Sequence, residues 1–103
     1  MTPTLTVPDS SVFPEDVRRF AAERGVTHYL VPLYELARRC FDGAEVTLTQ
    51  ENDYEIAGLG WIVFTPAIGT WDTDRYRAAK AQWYDGFRAI CPSDDSINFV
   101  LGV

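Results

Sequence analysis

The chain has 103 residues, 47% of them apolar and 14% aromatic. That suits one domain with a real core and excludes global disorder. The formal net charge of −6 repels phosphate backbones and anionic lipid, so nucleic acid and membrane surfaces are unfavoured partners.

Residues 1–13 contain Pro3 and Pro8 with several Thr and Ser and read as an extended lead. They hold neither a basic n-region nor a long apolar run, so no signal peptide or membrane span is expected. The expected location is the cytoplasm, where Cys40 and Cys91 stay reduced. The folded domain is expected over residues 14–103.

Pro14 suits a first helical position, and Glu15 and Asp16 favour the positive end of a helix dipole. Val17, Phe20 and Ala21 share one face, and Gly25 stops this first helix. A second helix is expected over residues 28–41, with Thr27 as its cap. Leu30, Leu33, Tyr34, Ala37, Cys40 and Phe41 make its apolar stripe, and Gly43 ends it. Pro32 would kink this helix unless it falls in the first turn, which moves the effective start toward Val31.

Residues 44–51 (AEVTLTQE) alternate, with Val46 and Leu48 on one side and Glu45, Thr47, Thr49 and Glu51 on the other. This is a strand with one dry face. A polar connection over 52–60 leads to residues 61–65 (WIVFT), apolar on both faces as in a central strand. Asp72 or Thr73 should cap a long helix over 73–90, with Tyr76, Ala79, Trp83, Phe87 and Ile90 as its stripe. Gly86 inside that helix costs about 1 kcal/mol relative to Ala, which points to close contact with a neighbour. Residues 97–103 alternate as a closing strand.

The order helix-helix-strand-strand-helix-strand implies an α+β domain with a three-stranded mixed sheet. The first two strands form an antiparallel hairpin, and a crossover through the third helix lays the last strand parallel to the second. If the helices pack mainly on one face, the other face is bare. It would show Thr47 and Thr49, then Asn98 and Val100, with either Trp61 and Val63 or Ile62 and Phe64 between them. Alternatively, a helix or the lead, through Val7, Val12 and Phe13, crosses that face.

All nine basic residues fall on the three expected helices. From Cys40 to Asp74 there is no Lys or Arg, yet seven acids occur. An apolar patch with an acidic rim suits a protein interface. The contact candidates are Trp61, Ile62, Val63 and Phe64, with Glu51, Asp53 and Glu55 for a basic partner. Self-association as a dimer or a separate protein partner are both consistent with this pattern.

Chemistry has little support. One His and two distant Cys do not make a zinc set. The acidic run Glu51-Asn52-Asp53-Tyr54-Glu55 lacks the register and glycine of a calcium loop. No glycine-rich phosphate loop occurs. No cofactor, metal or catalytic residue is expected. An alternative is a small-molecule binder or enzyme with a pocket between the sheet and the Tyr29, Tyr34 and Trp83 helical faces. A third reading is nucleic-acid binding by a helix-turn-helix-like pair over 17–39. Pro32 and the net charge speak against it.

Six segments resemble a family of short, uncharacterised bacterial proteins. They are Arg18-Arg19-Phe20-Ala21-Ala22-Glu23-Arg24-Gly25-Val26, Tyr29-Leu30, Glu35-Leu36-Ala37-Arg38-Arg39-Cys40-Phe41, Gly43-Ala44-Glu45-Val46-Thr47, Glu51-Asn52-Asp53 and Trp61-Ile62-Val63-Phe64. The resemblance implies a stand-alone bacterial domain and carries over no catalytic residue.

Overall fold

The computed structural model of the protein describes residues 12–102. Helix α1 (Glu15–Arg24) is followed by a 3-10 turn (Thr27–Tyr29) and α2 (Leu30–Cys40). Strands β1 (Val46–Asn52) and β2 (Gly60–Pro66) come next, then α3 (Thr73–Ile90), the single-turn α4 (Ser93–Ser96) and β3 (Phe99–Leu101). The fold is α+β, with a three-stranded mixed sheet in the order β1-β2-β3.

Local chemistry explains the boundaries. Gly25 adopts φ 71° at the end of α1, and the Val26 N–H reaches back to the Ala21 carbonyl at 2.8 Å. This left-handed closure seats Val26, fully buried, against the helix it ends. The 3-10 turn delays α2 until Leu30, so Pro32 is its third residue, where a missing N–H costs nothing. The expected Thr27 cap does not form: no side-chain hydrogen bond closes that turn. Asp72 caps α3, accepting from the Arg75 N–H at 2.8 Å.

β1 and β2 pair antiparallel with Thr49 opposite Val63 and Glu51 opposite Trp61. β2 and β3 pair parallel with Val63 opposite Val100. Val46, Leu48, Ile62, Phe64, Phe99 and Leu101 are all buried and share one side of the sheet. On that side Phe64 meets Trp83 at 6.4 Å between ring centroids. Trp83 stacks on Phe87 at 4.8 Å, and Phe87 meets Phe99 edge-on. Phe13 also belongs to this core, its ring 5.3 Å from that of Tyr34. Phe13 therefore does not lie across the bare face; Val7 is outside the described residues.

Candidate protein-interaction surface

Among the described residues, no helix packs against the opposite side of the sheet. Thr47, Thr49 and Glu51 of β1 and Thr65 of β2 are exposed, while Trp61 and Val63 are half-buried. Val100 is 40% exposed. The register sets Thr49, Val63 and Val100 in one row across the three strands and places Glu51 beside Trp61. A side chain at position 102 would run into Cγ1 of Val63 and stand 3.0 Å from Oγ1 of Thr65. Gly102 thus leaves room for Val63 on this surface. The face is nearly uncharged, with Glu51 as its one ionised group among these positions.

Of the four apolar candidates, the structure brings only Trp61 and Val63 to this face. Ile62 and Phe64 are fully buried. The cause is register: on the helix side they sit beside Leu48, and in a strand of period two one pair must turn away. Asn98 departs from expectation. It is 6% exposed, accepts from the Arg24 guanidinium at 3.3 Å and donates to the Asp95 carbonyl at 3.1 Å. The one-turn α4 holds it before the strand begins, turned to α1 instead of the bare face.

The three acidic candidates divide in the same way. Asp53 is half-buried, and its Oδ1 accepts from the N–H groups of Glu55 (2.8 Å) and Ile56 (2.9 Å). It shapes the hairpin turn. Glu51 and Glu55 remain exposed. The same turn presents Tyr54, 95% exposed, and Ile56, 56% exposed. Neither is among the contact candidates of the sequence, although two large apolar residues inside a polar loop are a visible signal.

The basic residues all lie on α1, α2 and α3. Several are engaged: Arg19 with Glu15 at 3.1 Å, Arg75 with Asp42 at 2.9 Å, and Arg88 with Asp85 at 2.5 Å. Arg24 donates to the Gly58 carbonyl at 2.6 Å.

Both cysteines are free thiols. Burial, with a smaller contribution from the Asp95 charge, pushes the Cys91 thiol up to about 11. Burial also raises Cys40, partly offset by Arg39. Thiols held protonated are not nucleophiles at neutral pH. The Tyr29 hydroxyl donates to Asp95 at 3.1 Å, and desolvation with that hydrogen bond raises its pKa. Among the described residues, no group of three His, Cys, Asp or Glu is placed to hold a metal ion. Among the same residues, no helix is long and apolar enough to cross a membrane.

Trp83 is fully buried, while a hollow of about 340 Å³ opens between Tyr34 and the sheet at Val46 and Leu48. An open crevice of about 630 Å³ lies elsewhere, lined by Thr65, Pro66, Ile68, Trp71, Asp72 and Tyr76 among others. Asp72 is the one carboxylate in its lining, and one of its oxygens already caps α3. Comparison with known proteins finds no matching family model, no matching curated relative and no matching solved structure.

Proposed function

We propose that the protein is a small cytosolic interaction module that docks a basic protein partner on the helix-free face of its sheet. The observation that carries this reading is the face itself. Trp61, Val63 and Val100 are framed by Thr47, Thr49 and Thr65, with exposed Glu51 and Glu55 toward the hairpin. Partly exposed aromatic residues at the centre of such a patch serve as anchors, and carboxylates at its rim select a basic partner.

Size argues for a separate partner over a second copy. Two seven-residue strands about 20 Å long and a three-residue strand about 10 Å long, about 4.8 Å apart, expose at most roughly 300 Å². Two such faces stacked together would bury roughly 600 Å², short of the about 1,000 Å² of a specific interface. A partner that also covers the hairpin tip, with Tyr54, Glu55 and Ile56, reaches a larger area and meets the acidic rim.

The test is capture from the source cell on immobilised wild type, Trp61→Ser and Glu51→Lys, followed by hydrogen exchange on the recovered complex. The expected result is a basic protein retained by wild type and lost from both variants, with new protection over residues 47–65. Equal retention by all three, or protection confined to α1, α2 and α3, would overturn the reading.

A further inference from the structure

The sheet order leaves β1 at a margin, and among the described residues its outer edge is unpaired. The Ala67 N–H donates to the Glu45 carbonyl and the Asp53 N–H to the Leu59 carbonyl, both at 2.8 Å. These two bonds bracket an unbroken antiparallel register. Because bonded pairs alternate along such a ladder, Thr47, Thr49 and Glu51 bond inward to β2. Val46, Leu48, Gln50 and Asn52 therefore turn their N–H and C=O groups outward. No other backbone group among the described residues bonds to them.

Edges of this kind are usually blunted by Lys, Pro, a bulge or a covering loop. β1 reads Val-Thr-Leu-Thr-Gln-Glu-Asn, without Lys or Pro. Two hollows lie along it instead. One, about 340 Å³, is lined by Phe13, Tyr34, Val46 and Leu48 among others. The other, about 310 Å³, includes Asp16, Phe20, Glu23, Gln50 and Asn52. The two arginines in the second hollow, Arg19 and Arg24, are held by Glu15 and by Gly58 with Asn98. Glu23 has no ion pair among the described residues. The strand thus offers backbone bonds, an apolar hollow at one end and spare negative charge at the other.

We propose that the outer edge of β1 accepts an extended basic segment of the partner protein as a fourth strand. Main-chain bonds to Val46, Leu48, Gln50 and Asn52 supply affinity, and alternate side chains supply selection. An aliphatic side chain enters the Phe13–Tyr34 hollow, and a Lys or Arg on the same side of the added strand lies beside Glu23. This rests on the reading above that the partner is a basic protein, and it adds the site and mode of capture.

The probe is the synthetic peptide Lys-Thr-Val-Thr-Val-Thr-Lys, capped at both ends, with a Glu-flanked counterpart, titrated into the full-length protein. Amide exchange is read residue by residue. The expected result is at least tenfold slower exchange at Val46, Leu48 and Gln50 with the Lys peptide, and a much weaker effect with the Glu peptide. Thr47 and Thr49, already bonded to β2, should not change. Gln50→Pro removes an outward donor without touching the ladder and should abolish the effect; its thermal midpoint reports that the fold survives. Trp61→Ser should leave the effect intact, so edge and face fail separately. Unchanged exchange at the outward amides under saturating peptide would overturn the proposal. So would protection in the protein alone that rises with its concentration, which would assign the edge to a second copy. Protection in the protein alone that Leu5→Asp removes would assign it to the chain's own Thr4-Leu5-Thr6-Val7, and would overturn the proposal equally.

Discussion

Gly86 of α3 lies directly against Leu36 of α2: a Cβ at position 86 would stand 2.5 Å from Cδ1 and 3.0 Å from Cδ2 of Leu36. Leu36 is 3% exposed and cannot swing into solvent. The helix-propensity cost of the glycine is therefore offset by close packing of two helices. Gly86→Ala should destabilise the protein by about 1–3 kcal/mol through overpacking, despite a propensity gain of about 1 kcal/mol. Urea unfolding checks this. The pair Gly86→Ala with Leu36→Ala should cost less than the sum of its parts, because the second change removes the clash created by the first.

The two sides of β2 should respond differently. Phe64 is fully buried among Trp83 and Phe99, so Phe64→Ala should cost about 3–5 kcal/mol. Trp61 is half-buried on the bare face, and Trp61→Ser should cost less than about 1.5 kcal/mol. Chemical denaturation of both variants distinguishes them. Equal losses would mean that Trp61 is as much a core residue as Phe64.

Trp83 carries the buried side-chain nitrogen that finds no acceptor among the described residues. An unpaired buried donor costs about 1–3 kcal/mol. Trp83→Phe removes that donor while keeping most of the ring, so it should cost under about 2 kcal/mol. Trp83→Ala should cost about 3–5 kcal/mol. Thermal unfolding of the two variants gives the comparison.

Alkaline pH should weaken the fold. The Cys91 thiol titrates at about 11 in the folded chain against an ordinary 9.0, and Tyr29 is raised as well. Between pH 9 and 11 the unfolded chain has lost the Cys91 proton while the folded one retains it. Stability is fully present below about pH 9 and falls as pH climbs toward 11. Urea midpoints at pH 7, 9 and 10.5 should decline in wild type and decline less in Cys91→Ala.

Most of the framework was legible where periodicity or a single residue type decided it. The Val46–Leu48 alternation, the two-sided apolar run after Gly60, the Asp72 cap and the Gly25 stop all act over a few residues. What escaped was set by partners distant in sequence. Whether Trp61 or Ile62 faces the helices depends on alignment with Leu48 across the hairpin, and either orientation satisfies β2 alone. Asn98 looked like a strand residue until α4 turned it toward Arg24, 74 positions away. The 3-10 turn before α2 lies between two acceptable starts, and Pro32 tolerates both.

The most direct test of the claim that the bare face serves a separate protein is absolute mass by light scattering across a concentration series. Wild type and Trp61→Ser should both give the monomer mass of 11.6 kDa throughout, because the face alone is too small to hold two copies together. A wild-type mass of about 23 kDa, twice 11.6 kDa, that returns to the monomer value in Trp61→Ser would contradict the account and give the face to a second copy of the chain.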